Sequence, residues 1–251
     1  MLPVRRVAAL QPLRWLRLGW RDVAATPWPS LVHGLLVAGI GAAALALAWN
    51  RGYLLAGAFS GFVIVGPIIA TGLYELSRLL ARGERPTLAD AITAWRRGTR
   101  PLVELGLLLG LAGTAWVVVS ILVFTLMVPS RPDGPAALLA YVARRDSNLA
   151  VLVWLLLGGV GSAIVFAATA VSPPLLLGRT VDLRCAVLTS VRAVGENPVA
   201  MTIWAATIML ATALSIATLM LGFIVAVPVL GHATWHAYRD LVDTSSVGLR
   251  H

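Results

Sequence analysis

The chain has no lysine, one cysteine and few charges of either sign. Charged residues are 12% of its 251, where a soluble domain carries about 25%. With 59% hydrophobic residues, that scarcity excludes a water-soluble globular fold and indicates an integral membrane protein. The lone Cys185 can form no internal disulfide, so cysteine pairing says nothing about redox compartment. Catalytic signatures are missing as well: there is no G-x-S-x-G elbow, no Walker loop, no H-E-x-x-H and no cysteine cluster. Acidic residues number only 11 against 20 arginines, a net charge of +9.

What is present is a series of apolar stretches, each measured against the roughly 20 helical residues that cross a bilayer core. The expected architecture is all-α, a polytopic bundle of six spans at about 31–49, 53–77, 102–128, 149–174, 199–217 and 221–240. Before it, residues 1–30 form a basic amphipathic segment; after it, 242–251 form a tail. The last two spans follow from length, because no charge occurs between Glu196 and His232. One straight helix from Pro198 to Tyr238 would be about 60 Å long, twice the core thickness. The chain must therefore turn back around Thr218 to Gly222, or else run as one kinked and strongly tilted helix. Between spans, residues 87–95 suit a short amphipathic helix with Thr87 as N-cap and Asp90 in its first turn.

The arginines set the orientation. With six spans, 16 of them fall on the side of the two termini and the two polar connectors, leaving Arg51, Arg131, Arg144 and Arg145 opposite. The positive-inside rule then places both termini in the cytoplasm. The same asymmetry accounts for most of the net charge without nucleic acid and makes anionic lipid headgroups the expected partner. At the N-terminus, Arg14, Arg17 and Arg21 interrupt what would be the apolar core of a secretory signal. Leu13, Leu16 and Trp20 lie on one helical stripe with those arginines one position on, which suits a helix in the headgroup layer. A solvated lead-in to the first span is the alternative.

Prolines suggest an internal repeat. Pro67, Pro173 and Pro228 are each followed eleven positions later by an arginine, Arg78, Arg184 and Arg239. We read three degenerate helical hairpins, with the prolines as kinks and the arginines at the headgroups. Chance recurrence in a chain whose only basic residue type is arginine is the alternative.

The stretches G-F-V-I-V-G-P-I-I-A-T-G-L-Y-E-L-S-R (61–78), G-H-A-T-W-H-A-Y-R-D-L (231–241) and L-G-W-R-D (18–22) carry a resemblance. They are similar to those of an uncharacterised bacterial family of integral membrane proteins, a domain of unknown function, some of whose members are labelled as cytochrome c oxidase subunits. The resemblance extends over nearly the whole chain and implies a bacterial inner (cytoplasmic) membrane location and a polytopic body. It brings no known activity. An oxidase catalytic subunit is a much longer chain with more spans and more histidines.

Several residues could carry chemistry. His232 and His236 lie one helical turn apart and could ligate a metal, or one of them a haem, with Glu75 as third ligand. The same histidines could instead pack beside Trp235 and Tyr238 as an interfacial anchor. Glu75 and Glu104 could handle protons or ions, or Glu75 could simply pair with Arg78. Glycines 34, 39 and 41, 106, 110 and 113, and 158, 159 and 161 permit close helix contact, within the monomer or with a partner. Cys185 is expected to be inert. Three function classes result. A non-enzymatic accessory or scaffold component, with a membrane-protein partner or a second copy, predicts tolerance of His232→Ala. A metal or haem module predicts a bound metal or chromophore. A small ion or solute transporter predicts loss of flux in Glu75→Gln.

Overall fold

The computed structural model describes residues 1–48, 70–96, 99–128, 140 and 148–248. Its helices are α1 (Gln11–Ala25), α2 (Pro27–Ala48), α3 (Thr71–Leu80), α4 (Leu88–Arg96), α5 (Arg100–Met127), α6 (Asn148–Thr169), α7 (Ser172–Gly178), α8 (Leu183–Glu196), α9 (Pro198–Ala217) and α10 (Phe223–Leu241). The all-helical class is as expected. Four stretches are long and apolar enough to cross a membrane: Pro27–Ala46, Arg100–Met127, Leu149–Gly178 and Pro198–Ala217. They match the first, third, fourth and fifth expected spans. The second expected span lies mostly outside the described residues, as do Pro67, Arg51, Arg131, Arg144 and Arg145. The sixth expected span coincides with α10, which is not among these four because its histidines and C-terminal charges keep its apolar content lower.

The chain divides into two compact units: Met1–Gly39 with Pro67–Leu105 and Phe166–His251, and Ile40–Gly66 with Gly106–Val165. In the first unit α10 is the hub. It is reached from α9 by a tight reversal at residues 218–222, where Leu219 and Met220 take left-handed φ values of 51° and 75° and the Met220 amide returns to the Ser215 carbonyl. The fold-back expected from length is thus present. Two glycines let neighbouring helices close on α10. A side chain at Gly19 of α1 would meet the Val229 carbonyl and Ala233, and one at Gly34 of α2 would collide with the main chain of Ile224. Pro228 has a bearing on the second contact: lacking an N–H, it leaves the Ile224 carbonyl without its helical donor. Gly34 brings its Cα against that freed oxygen. Leu73 of α3 fills the space over Gly231, and Leu73 and Leu76 pack with Ala91 of α4 and Val227. Helix α4 begins as expected, with Asp90 accepting from both the amide and the hydroxyl of Thr87.

The two ends of the chain are fastened together in this unit. Val4 bridges Val242, the Arg5 amide donates to the Leu241 carbonyl and the Asp243 amide to that of Pro3. Asn197 accepts from the Val7 amide and donates to the Arg5 carbonyl, and Asp240 accepts from Gln11 and Trp15. Trp15 is buried edge-on against Trp204 of α9, with ring centres 5.7 Å apart.

One expectation is refined. The stretch Leu149–Gly178 is interrupted next to Pro173: α6 stops at Thr169, and Pro173 sits in the first turn of α7, where a missing N–H costs nothing. Arg184 belongs to yet another helix, α8, whereas Pro228 and Arg239 share α10. The equal eleven-residue spacings of these two pairs therefore do not reflect equivalent structures.

In the second unit, α5 and α6 meet through aromatic side chains. Trp116 lies over Gly158, the Trp154 indole N–H donates to Ser120 at 3.0 Å, and Phe124 packs with Trp154 and Ala150. Numbering rises along α5 as it falls along α6, so the pair is antiparallel, in keeping with a hairpin of the third and fourth spans. Trp154→Phe keeps the ring contacts and strands the Ser120 hydroxyl. We expect a loss of about 1 kcal/mol, read as a lower midpoint in a denaturing-detergent titration.

Candidate functional site

The polar side chains of α10 that face inward converge with residues from three other helices. His232, wholly buried, sits between Ser77 of α3 and Ser30 of α2: Ser77 Oγ is 2.7 Å from Nδ1 and Ser30 Oγ is 2.9 Å from Nε2. Ser77 also reaches Asp22 Oδ2 of α1 at 2.6 Å, and Ser30 reaches Thr26 at 3.0 Å. One turn along α10, His236 Nε2 donates to the same Asp22 oxygen at 2.9 Å. The result is a continuous chain, Thr26–Ser30–His232–Ser77–Asp22–His236. Its outer edge is at Asp22 and His236, whose side chains are 16% and 17% exposed.

The charge of Asp22 sets the direction of every bond in this chain. Burial opposes ionisation of the carboxyl, but hydrogen bonds from His236 and Ser77, with the two nearby imidazoles, outweigh it and hold Asp22 below its ordinary value. An ionised carboxylate only accepts, so the single Ser77 hydrogen goes to Asp22. Ser77 must then accept from His232, which fixes the Nδ1–H tautomer. His232 Nε2 is left as an acceptor and takes the Ser30 hydrogen; the Thr26 hydrogen is shared between Ser30 and the Asp22 carbonyl, 2.9 Å away. Nearby, His33 donates from Nδ1 to the Pro29 carbonyl at 2.8 Å. An unpartnered polar group in this setting would cost about 1–3 kcal/mol. Chemically, the chain can lock α1, α2, α3 and α10 to one another, and it can hold or pass a proton.

The residues singled out from sequence distribute as follows. His232 and His236 do share a face, and both turn toward Asp22. Glu75 is engaged elsewhere, by both the Nε and Nη2 of Arg78 at 2.6 and 2.5 Å. Among the described residues no three His, Cys, Asp or Glu side chains are grouped so as to hold a metal ion. Glu104 pairs with Arg100. Trp235 and Tyr238 are buried, their rings tilted at 56° with centres 5.3 Å apart and packed against Gly178, instead of facing outward as an anchor. Arg14, Arg17, Arg21, Arg184 and Arg239 are exposed, while Arg78 is mostly covered in its ion pair. Of the small residues, Gly34 and Gly158 lie at close approaches, while Gly39, Gly110, Gly159 and Gly161 face open space.

Asp22, Ser77, Ser30 and Thr26 were not picked out by spacing, since Ser77 is 155 residues from His232 and Asp22 is 214 from His236. A signal did exist: the stretches 18–22, 61–78 and 231–241, quoted above for the family resemblance, contain Asp22, Ser77 and both histidines, and they are the stretches that meet. No curated protein and no solved structure matches the chain. The matching family model covers residues 54–178 and so takes in 61–78 but neither of the other two stretches. Over that segment the chain matches the model of the uncharacterised family described as predicted integral membrane protein (DUF2189).

Proposed function

We propose that this protein is a non-enzymatic accessory or scaffold component of the bacterial inner membrane, with six spans and both termini in the cytoplasm. The observation that carries the reading is how the polar residues are used: each side chain of the Asp22–Ser77–His232–Ser30 chain is bonded to a side chain of another helix. The chemistry of the core is thus committed to joining helices. Two features support the topology. The two ends of the chain are hydrogen-bonded to each other, which suits an even number of spans. Helix α10, with 19 residues, is about 28 Å long and close to the thickness of a bilayer core.

Cys185, partly exposed on α8, allows a direct test of orientation. A membrane-impermeant maleimide is expected to label it in inverted vesicles and not in intact spheroplasts; the reverse pattern would refute cytoplasmic termini. The accessory role predicts that mild-detergent extraction and cross-linking recover the protein with other membrane proteins or with a second copy of itself. Recovery as an isolated monomer would count against it. The unbroken chain from the Asp22–His236 edge to buried Ser30 favours a second reading, a proton-handling membrane protein. The two separate on Asp22→Asn, which abolishes proton flux into reconstituted vesicles under the second reading and alters only stability under the first.

A further inference from the structure

Helix α1 has two faces, and only one of them is accounted for by the fold. Pro12, Trp15 and Gly19 are buried against the protein. On the far side, at about 100° per residue, Leu13, Trp20 and Ala24 form one edge, and Arg14, Arg17 and Arg21 form the adjoining edge. All six are exposed, Leu13 and Trp20 by more than half, and Leu10 and Trp28 just outside the helix are more exposed still. Four arginines elsewhere engage carboxylates: Arg5 with Asp243, Arg78 with Glu75, Arg100 with Glu104 and Arg192 with Glu196. Among the described residues no ion pair engages Arg14, Arg17 or Arg21. Immediately after α1 the chain enters the first apolar stretch, Pro27–Ala46.

We infer that the outer face of α1 is a binding surface for anionic phospholipid. Leu13, Trp20 and Ala24 lie against the acyl-chain boundary, and the three guanidinium groups, one helical turn apart, take headgroup phosphates. The sequence left a headgroup helix and a solvated lead-in equally open. The tertiary structure separates them, because it spends one face of α1 on the protein and leaves outward a second face with its own apolar edge beside an unpaired row of arginines. Leucine and tryptophan exposed in water are unfavourable, and three hydrated arginines beside them are free to gain from phosphate; an anionic leaflet meets both. Phosphate suits guanidinium in particular, since the planar fork can donate two hydrogen bonds to one headgroup.

The test uses the full-length protein in two measurements. Native mass spectrometry after extraction from phosphatidylcholine bilayers containing phosphatidylglycerol should show retained phosphatidylglycerol. The triple variant Arg14→Gln/Arg17→Gln/Arg21→Gln should bind it about fivefold more weakly for each arginine removed, with phosphatidylcholine retention unchanged. The triple lysine variant, which keeps the charge, should retain most of the binding, controlling for misfolding. In a Cys185→Ser background, a nitroxide on Ala24→Cys should be relaxed by oxygen and shielded from a water-soluble nickel chelate. Undiminished phosphatidylglycerol retention in the glutamine variant, or a label at position 24 open to the chelate, would overturn the proposal.

Discussion

Asp22→Ala is expected to lower the stability of the folded protein by about 2–4 kcal/mol, because it removes the acceptor of two donors at once. Ser77 and His236 both donate to Asp22 Oδ2, and Ser77 can turn to another acceptor within the chain only if the His232 proton moves from Nδ1 to Nε2. Loss of the carboxylate also releases the constraint that holds His232 as the Nδ1–H tautomer, so the effect extends to Ser30 and Thr26. A denaturing-detergent titration followed by circular dichroism measures the stability change. Asp22→Asn separates direction from volume. Its amide can donate to Ser77, which then donates to His232 Nδ1, and the imidazole becomes the Nε2–H form. Nitrogen-15 spectra of labelled histidine should show the two ring nitrogens of His232 exchange character in this variant while the helix content stays constant.

The pH dependence follows from the same residue. The folded carboxyl is held below its ordinary value of 3.8, so the stabilisation is present in full above that value and is lost as the pH falls through the lower folded value. Wild-type protein should therefore lose stability on acidification below about pH 4, and Asp22→Asn should lack that component. An identical acid profile in the two proteins would show that Asp22 is not ionised in the folded state. His232→Ala is expected to be destabilising too, contrary to the tolerance that a scaffold suggested at first. The ring is fully buried and holds two serines, so its removal leaves a cavity and two unpaired hydroxyls. A scaffold role is compatible with this, since the residue that holds the scaffold together is the one removed.

The second large effect is steric. Gly34→Ala should cost about 1–3 kcal/mol, since a Cβ at this position would collide with the Ile224 main chain, which cannot turn aside as a side chain can. Gly34→Leu should prevent α2 from closing on α10 altogether. On the same helix Gly39 faces open space, and Gly39→Ala should be neutral or stabilising by up to about 1 kcal/mol. Thermal melts of the three variants in one detergent provide the comparison. Equal effects at positions 34 and 39 would mean that the α2–α10 crossing is looser than the structure has it.

Much of the fold was legible in local terms. Long uncharged runs have to be helices that bury their own backbone hydrogen bonds in hydrocarbon. The length of the apolar stretch after Glu196 required a reversal, and that reversal lies at 218–222 as expected. The Thr87–Asp90 cap marked the start of α4, and the Glu75–Arg78 spacing already contained the ion pair that occupies Glu75. These are all short-range matters of length, periodicity and neighbouring charge.

Proline spacing was a poorer guide. Whether a proline bends a helix or starts one depends on what the preceding carbonyls meet, and that is tertiary. At Pro173 the chain breaks and α7 begins; at Pro228 the helix continues, with the freed Ile224 carbonyl covered by Gly34. The histidine pair shows the same division. Their four-residue spacing placed both rings on one face of α10, which any helix of this sequence would do. Which groups would meet that face was decided by the packing of α1, α2 and α3, and those helices brought Asp22, Ser30 and Ser77 instead of Glu75. Hydrogen-bond partners more than 150 residues apart leave no periodic trace in the sequence, because each needs only to be small and polar at one point of a helix surface. Only the assembled bundle determines which of those points coincide.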